Sequence, residues 1–185
     1  MNKRLIVGIS GASGVIYGIR ALEMLRDAGV ETHLVMSRAA QVTLAHETDV
    51  KIADVERLAA VNYRIDDIGA AISSGSFKTM GMLVAPCSIR SLSEISSGVT
   101  SSLLSRAADV VLKERRRLVL MVRETPLHAG HLRSMAAVTE MGGIIAPPVP
   151  AFYAKPKTLD EMINHTIGRA LDLFDLDVAI RRWKD

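Results

Sequence analysis

A glycine-rich turn directly after a short apolar run opens this chain, and it constrains the fold more than any other feature. Residues 5–9 are apolar and predict a buried strand, while residues 16–28 carry apolar side chains at helical spacing and predict a helix. Gly8, Gly11 and Gly14 mark the turn between them. Glycine lets a chain turn tightly and lets its backbone approach a ligand closely, because it has no side chain. This order of strand, turn and helix predicts an α/β fold whose first loop binds a ligand.

The same turn predicts an anion site. A helix that starts here points its free N–H groups and the positive end of its dipole back at the turn, an arrangement that suits phosphate-bearing ligands. The glycines follow the spacing G-x-x-G-x-x-G, whereas the dinucleotide fingerprint is G-x-G-x-x-G. Ser37 and Arg38 stand where that fingerprint needs an acidic residue, about 20 positions on. We therefore expect a nucleotide or a phosphorylated cofactor, and the spacing disfavours an NAD enzyme.

Composition narrows the class of protein further. The 185 residues, 49% hydrophobic and 23% charged, predict a single domain over residues 1–185 with a full core. Aromatic residues make up only 4%, which favours alternating helices and parallel strands over a β-sandwich. A net charge of +3 without a lysine-rich arm gives nucleic-acid binding no support. One cysteine, no signal-peptide pattern and no apolar run near the ~20 residues of a membrane span predict a cytoplasmic protein without a membrane span.

The pattern along the chain alternates strands with helices. Strands are predicted at residues 5–9, 31–36, 80–85, 118–122 and 144–146, with Pro86 ending the third. Helices are predicted at residues 16–28, 39–46, 52–60, 101–114, 127–141 and 158–174. The last helix is amphipathic, with Leu159, Met162, Ile163, Ile167, Leu171 and Phe174 on one face. Irregular structure is predicted at residues 62–71, 73–76 and 147–156, and a polar loop with room for one helical turn at residues 88–98.

This alternation implies a parallel sheet covered on both faces, with its ligand beyond the carboxyl ends of the strands. Candidate site residues follow five of these ends, in loops that are rich in hydroxyl groups and cations. They are Gly11, Ala12 and Ser13 after the first strand, Ser37 after the second, Ser88, Ile89, Arg90 and Ser91 after the third, Arg123 and Glu124 after the fourth, and Tyr153 after the fifth. Their convergence on one edge of the sheet indicates a binding site.

Several of these positions also have a purely structural interpretation. Ser13 is explained equally well as a cap of the first helix. Cys87 is expected only to pack, since no matching His and Asn signature accompanies it. His128 and His131 share a helix face without a third ligand, so we expect no metal site there. No G-x-S-x-G elbow occurs, which excludes an α/β-hydrolase.

The charged candidates differ in how specific they are. Lys113 belongs to a basic run that ends a helix, where cations are ordinary. Glu47 and Arg169, each considered alone, would be solvated side chains. Arg123 and Glu124 are more specific, because a charged pair directly follows an apolar strand at the functional edge of the sheet.

Taken in order, these segments resemble the UbiX-type flavin prenyltransferases along nearly the whole chain. The segments that carry the resemblance are GISGASG (8–14), HLVMSRAA (33–40), HETD (46–49), SSGS (73–76), PCSIRSL (86–92), RAADVVLKERR (106–116), VRETPL (122–127), PPVPAFY (147–153) and RRW (181–183). Each segment is weak alone, but their shared order and spacing make the resemblance specific. The lysine and threonine that are common in the third loop of that family are Arg90 and Ser91 here, which keeps a charge and a hydroxyl group.

The resemblance implies a three-layer α/β/α flavodoxin-like fold and a homo-oligomer, commonly a dodecamer, with sites at subunit interfaces. It implies transfer of a dimethylallyl group from dimethylallyl monophosphate to N5 and then C6 of reduced FMN, without a metal, to make the cofactor of UbiD-type decarboxylases. The implied FMN contacts are Gly11, Ala12, Ser13, Ser37, Ser88, Ile89, Arg90, Ser91 and Arg123. The implied prenyl-phosphate contacts are Lys113, Arg123, Tyr153 and Arg169. The implied catalytic residues are Ser13, Glu47, Lys113 and Glu124, with Glu124 serving the proton transfers.

Two alternatives stay open beside the prenyltransferase. One is an FMN-dependent decarboxylase, although the Asn-rich motif of the flavin-dependent cysteine decarboxylases has no match here. The other is an accessory FMN carrier of an aromatic-acid decarboxylase, against which the joint presence of Lys113, Glu124, Tyr153 and Arg169 argues. Cations and a phenol suit the negative charge that develops on a departing allylic phosphate. The D-D-x-x-D motif of metal-dependent prenyltransferases is absent from the sequence, which agrees with metal-free transfer.

Overall fold

The computed structural model describes residues 3–183. The strands are β1 (Arg4–Ile9), β2 (Glu31–Met36), β3 (Val61–Tyr63), β4 (Gly81–Cys87), β5 (Arg117–Val122) and β6 (Ile144–Ile145). The α-helices are α1 (Val15–Asp27), α2 (Arg38–Glu47), α3 (Ile52–Glu56), α4 (Ile89–Ser97), α5 (Leu103–Lys113), α6 (Ala129–Glu140) and α7 (Leu159–Asp172). Short 3-10 helices lie at Ala71–Ser73 and Phe152–Ala154.

The strands form one parallel sheet in the order β3-β2-β1-β4-β5-β6. The order reverses between β1 and β4, because the chain first builds outward to β3 and then returns to the other side of β1. In open parallel sheets the ligand crevice lies at such a switch point, outside the carboxyl ends of the strands. Here the switch point lies between the loop after β1 and the loop after β4.

Alternating side chains of the strands divide the core into two layers. Leu5, Val7 and Ile9 of β1 face one layer, whose helical side is supplied by α1, α2, α3 and α7. Ile6 faces the other layer, whose helical side is supplied by α4, α5 and α6. Both faces of the sheet are therefore buried, which is the ordinary condition of a parallel sheet and explains its unbroken apolar runs. The predicted three-layer α/β/α flavodoxin-like fold is confirmed.

Three details differ from the sequence prediction. β3 lies largely in a segment that was predicted to be irregular. It is an edge strand of only three residues, of which Asn62 is exposed, so it is too short to show the alternation of apolar and polar residues that identifies a strand. α4 replaces the predicted polar loop, because Ser91, Leu92 and Ile95 bury one helical face behind a serine-rich surface. The predicted third strand does not end at Pro86 but continues to Cys87. Its pairing with β5 shifts register between Val84 and Cys87, so the sheet needs no N–H donor at Pro86, which has none.

The last helix also differs at its start. Leu159 is 71% exposed, so the predicted apolar face begins only with the half-buried Met162 and the buried Ile163. None of the helices that the structure describes is long and apolar enough to cross a membrane.

Candidate functional site

Ser10 joins the two loops at the switch point. Its hydroxyl group donates to the carbonyl oxygen of Pro86 at 2.9 Å and accepts from the backbone N–H of Ser88 at 2.7 Å. The backbone N–H of Ser10 also donates to the same Pro86 carbonyl, at 3.2 Å. Ser10 is only 1% exposed, so these bonds are shielded from water. The glycine turn after β1 and the serine loop after β4 are therefore held in one arrangement.

A cleft of about 470 Å³ opens beside this junction, at the carboxyl edge of the sheet. Its walls come from the segments after β1, β2, β3 and β4 and from the start of α5. The lining residues are Gly11, Ser37, Arg38, Ala39, Ile65, Asp66, Ser88, Arg90, Ser91, Glu94, Ser101, Ser102 and Leu104. Five of the predicted FMN contacts, Gly11, Ser37, Ser88, Arg90 and Ser91, thus share one cavity.

Two helix N-termini border the cleft. Ser37 caps α2 by accepting from the N–H of Ala40 at 3.0 Å, and Ser88 caps α4 by accepting from the N–H of Ser91 at 3.3 Å. Each cap satisfies one N–H group in the first turn of its helix. The other first-turn N–H groups have no partner inside the helix. The N–H groups of Arg38 and Ala39 in α2, and those at the start of α4, are consequently placed to receive an anion from the cleft.

Gly11 is required by a close approach of two backbones. A Cβ atom built on Gly11 would lie 2.4 Å from the Cβ of Ala39 and 3.1 Å from its carbonyl carbon. The turn after β1 thus packs directly on the first turn of α2. Because Gly11 has no side chain, the wall of the cleft at this turn is formed by main chain. Such a wall lets a flat ring system or a phosphate group approach the backbone closely.

Glu47 occupies the N-terminus of α1, where the sequence predicts an anion site. The N–H of Gly14 donates to its two carboxylate oxygens at 3.1 and 2.9 Å, and the N–H of Val15 donates to Oε2 at 3.0 Å. Gly14, at φ 98°, is the N-cap of α1 and has no side chain to offer. Glu47 therefore caps α1 from the far end of α2. The anion at this helix is part of the protein.

The electrostatic surroundings of Glu47 include two further candidates. Partial burial opposes ionisation, but hydrogen bonds from the Ser13 hydroxyl and from the N–H groups of Gly14 and Val15, together with the charge of Arg123, lower the pKa of the Glu47 carboxyl overall. Burial raises the pKa of the neighbouring Tyr17 phenol, and the Arg123 charge opposes that shift. Ser13, Glu47 and Arg123 thus form one charged cluster at the mouth of α1, with Tyr17 beside it.

Glu124 and Arg123 lie where the sequence predicts them, directly after β5. The N–H of Arg123 donates to the carbonyl of Cys87 at 3.1 Å, which ties this loop to the end of β4. Glu124 is exposed and accepts from the N–H of Thr125 at 3.0 Å. Cys87 itself is fully buried, and burial raises the pKa of its thiol to about 12, so packing explains it as predicted.

Lys113 lies at the opposite edge of the sheet. It ends α5 just before β5 begins at Arg117, which pairs with the first residue of β4, Gly81. Its ammonium group donates to Glu114 at 2.6 Å, beside the loop that contains Gly75. Within one chain, the fold therefore separates Lys113 from the cleft by the length of the strands.

Tyr153 lies in the 3-10 helix before α7, and Arg169 lies in the second half of α7. The ring of Tyr153 meets those of His165 and Trp183 edge-on, with centroids 5.3 Å apart in both cases. Arg169 follows His165 by one helical turn and pairs with Asp172, which also binds Arg182 at 2.7 and 2.9 Å. Ion pairing with Arg182 and Arg169 lowers the pKa of Asp172 despite its partial burial.

This second group also lies away from the cleft. Asp175, just beyond α7, pairs with Arg117 at the amino edge of the sheet, so the end of α7 that carries Arg169 points to that edge. The structure thus brings five of the nine predicted FMN contacts together in one cleft, and it leaves the predicted prenyl-phosphate contacts in separate places. Ala12, Ser13 and Ile89 adjoin these five in sequence and Arg123 follows β5, but these four do not line the cleft.

The imidazole rings of His128 and His131 stack with centroids 3.5 Å apart at the start of α6. His128 also caps that helix by accepting from the N–H of Gly130 at 3.0 Å. Over residues 3–183 the structure shows no group of three or more His, Cys, Asp or Glu side chains that could hold a metal ion.

Sequence reasoning missed Ser10 and Tyr17. Ser10 stands inside the glycine turn, and nothing in the local pattern distinguishes a serine that ties two loops from one that contacts a ligand. Tyr17 follows the helical period of α1 and is half-buried, so it is ordinary until its position beside Gly14 and Arg123 is known.

The fold and the cleft define an α/β protein with a ligand site at the switch point of a parallel sheet. The model of the Flavoprotein family matches residues 1–170. The flavin prenyltransferase UbiX of Salmonella typhimurium is 61% identical, over 98% of this chain and 98% of its own length. The chain belongs to the Flavoprotein family and, within it, to the UbiX-type flavin prenyltransferases, as the sequence resemblance predicted.

Two solved structures match almost the whole chain. One is AnUbiX (PadA1) in complex with FMN and dimethylallyl pyrophosphate, with a TM-score of 0.98 and 49% identity, covering 100% of this chain and 99% of that one. The other is a dodecameric FMN-dependent UbiX-like decarboxylase from Escherichia coli O157:H7, with a TM-score of 0.95 and 47% identity, covering 98% of this chain and 100% of that one.

Proposed function

We propose that this protein is a flavin prenyltransferase that moves a dimethylallyl group from dimethylallyl monophosphate to N5 and C6 of reduced FMN, and that residues 1–185 form one flavoprotein domain. The observation that carries the proposal is the cleft at the switch point, where main chain and serine caps form the walls in a chain 61% identical to a flavin prenyltransferase. We further propose a cytoplasmic location, which the single cysteine supports.

The residues of the cleft fit FMN as the acceptor substrate. The N–H groups at the starts of α2 and α4, with Ser37, Ser88 and Ser91, supply donors for its phosphate group. The close backbone approach at Gly11 leaves a flat wall for a ring system. FMN supplies an electron-rich carbon and nitrogen framework that attacks the allylic carbon. The protein's part is to bind, orient and protect it from water.

Ser13, Glu47 and Glu124 are the groups proposed to move protons. Ser13 donates a hydrogen bond to an ionised Glu47, which gives the serine hydroxyl a fixed orientation at the turn. Glu124 is exposed at the end of β5 and directly follows Arg123. We assign Glu124 the proton transfers that accompany formation of both bonds, with Ser13 close to N5 and Glu47 as a lesser candidate.

The prenyl phosphate is proposed to lie between chains. The charge of Arg123 acts on Glu47 at the start of α1, next to the turn that contributes Gly11 to the cleft, whereas Lys113, Tyr153 and Arg169 lie elsewhere within one chain. A neighbouring copy supplies the missing cations and phenol in a homo-oligomer, for which we propose a dodecamer because a 47% identical structure is dodecameric. Together these groups neutralise the negative charge that grows on the departing phosphate. The product would pass to a UbiD-type decarboxylase.

The test is anaerobic incubation of the purified protein with reduced FMN and dimethylallyl monophosphate, without added metal, followed by mass analysis of the released flavin. A flavin heavier by one five-carbon prenyl unit supports the transferase. FMN that is bound but unchanged in mass would instead favour a decarboxylase or an accessory FMN carrier.

The same assay with Glu124→Gln separates catalysis from storage. We expect this variant to bind FMN and to lose transfer by about 10²-fold or more, the usual worth of a positioned acid or base. Unaltered turnover would contradict the role of Glu124. A matched control is Glu140→Gln, which changes an exposed glutamate at the end of α6.

A further inference from the structure

The N-terminus of α1 combines three features that favour an anion. It is a helix of 13 residues that begins shortly after Gly11, which lines the cleft, and its first N–H groups, on Gly14 and Val15, point at a carboxylate. The Ser13 hydroxyl lies beside them and Arg123 is close enough for its charge to act there. N–H groups at a helix start, a hydroxyl and a guanidinium are together the ordinary donors of a phosphate site.

Glu47 fills this place with a carboxylate. Its two oxygens accept three hydrogen bonds of 2.9 to 3.1 Å from Gly14 and Val15, so the N–H groups that a phosphate would use are already bonded. A phosphate group brought close to this helix would also meet a like charge, which costs energy at short range. The start of α1 is thereby made unattractive to a second anion, although its geometry suits one.

The starts of α2 and α4 contrast with this arrangement. Their caps are the neutral hydroxyl groups of Ser37 and Ser88, which add no negative charge. Four helices, α1, α2, α4 and α5, begin beside the cleft or the turn after β1. Among the described residues, α1 alone of these four has first N–H groups bonded to a carboxylate, although Asp66 and Glu94 also line the cleft.

We propose that Glu47 determines specificity by acting as the built-in anion of α1: it excludes phosphate groups from that helix and directs the phosphate of the bound nucleotide to the starts of α2 and α4. This inference rests on the proposed function in one respect, since it takes FMN as the ligand of the cleft.

The experiment uses the FMN-loaded protein, whose own phosphate subsite is then occupied, and inorganic phosphate as the probe. Tm is measured against phosphate concentration at constant ionic strength, with sodium chloride making up the balance so that screening is equal in all samples. Glu47→Ala is expected to gain a rise in Tm that saturates with phosphate, with an apparent Kd about tenfold or more tighter than any response of the wild type. Chloride in place of phosphate is expected to give no rise.

Two further variants keep the outcome interpretable. Glu47→Gln keeps the bulk and one acceptor oxygen while removing the charge, so it should respond in the same direction but less strongly. Glu140→Ala removes the same charge from the exposed end of α6 and should behave as the wild type.

The two proposals fail in different ways. Failure of the wild type to bind FMN would overturn the proposed function. FMN binding together with equal phosphate responses in Glu47→Ala, Glu47→Gln, Glu140→Ala and the wild type would leave the proposed function standing and overturn the exclusion by Glu47.

Discussion

At the scale of single residues, the geometry of the cleft depends on the buried hydroxyl group of Ser10. Ser10→Ala leaves the N–H of Ser88 without its 2.7 Å partner and removes one of the two donors to the Pro86 carbonyl. Unsatisfied buried groups of this kind cost about 1–3 kcal/mol. We expect that loss in the free energy of unfolding, measured in urea, and FMN binding weakened about tenfold in a fluorescence titration, because the loop after β4 is released.

The matched control for Ser10 is Ser97→Ala. The Ser97 hydroxyl donates to the Ser93 carbonyl within α4 and is exposed, so its removal should change neither quantity by much. If Ser10→Ala lowered stability but left the FMN dissociation constant unchanged, Ser10 would be structural without positioning the cleft.

Glu47 gives a pH dependence whose sign follows from its lowered pKa. The pKa of the Glu47 carboxyl is lower in the folded chain than its ordinary value of 4.5, so the ionised group stabilises the fold at pH values above 4.5. This stabilisation is lost as the pH falls through the pKa of the folded state. We expect wild type to be more stable than Glu47→Gln at pH 7. The difference in free energy of unfolding should shrink as the pH is lowered below about 4.5. Other carboxyl groups are present in both proteins and cancel, so a difference that stays constant with pH would refute this account.

Single residues also show where sequence reasoning stops. Cys87 was predicted only to pack, because it is a lone cysteine at the end of an apolar strand, and it is fully buried. The sequence placed an anion at the start of α1 but not its source, since Glu47 lies 33 positions from Gly14 and only the fold brings them together. Long-range pairs of this kind have no local period or spacing.

At the scale of elements, the contact between the first turn and α2 decides the width of the cleft. Gly11→Ala would place a methyl group 2.4 Å from the Cβ of Ala39, which must push the start of α2 away. Overpacking of this kind typically costs 1–3 kcal/mol. We expect that loss in urea unfolding, together with a weaker affinity for FMN.

The double variant Gly11→Ala with Ala39→Gly tests that explanation. Removing the Cβ of Ala39 relieves the worst contact, while backbone atoms at 3.1 and 3.3 Å remain. Partial recovery of stability and FMN affinity, larger than the sum of the single effects predicts, would show the direct contact. Strict additivity would mean that Gly11 is needed for its own backbone conformation instead.

The elements that the sequence predicted well are those with long apolar runs or clear caps. β1, β2, β5 and α5 are such elements, and they are close to their predicted bounds. α4 was underestimated because four serines among its nine residues are typical of a loop, and only the burial of Leu92 and Ile95 reveals the helix. β3 had too few residues to carry a period, so pairing with β2 had to define it.

At the scale of the whole molecule, one chain forms the cleft with five of the predicted FMN contacts but does not bring the proposed prenyl-phosphate contacts together. The residues that resemble FMN contacts follow strands of one sheet, so topology alone predicts that they meet. Lys113 and Arg169 lie in helices that end at the amino edge of the sheet, opposite the cleft. A single sequence cannot indicate which neighbouring chain packs against that edge. The resemblance supplied their role, and the arrangement of subunits must supply their position.

An oligomer that shares its sites predicts rescue between two inactive chains. Glu124→Gln and Lys113→Ala should each abolish prenyl transfer as pure proteins, because one removes the proposed acid–base group and the other a phosphate contact. When the two are co-expressed with different tags and purified by both, a site between chains can combine Glu124 of one copy with Lys113 of another. Random mixing leaves about one quarter of such sites intact, so about a quarter of wild-type activity should return. A mixture of Glu124→Gln with Glu124→Gln,Lys113→Ala contains no intact Glu124 and should stay inactive. If both residues served the same chain's site, the first mixture would stay inactive as well, and the site between chains would have to be abandoned.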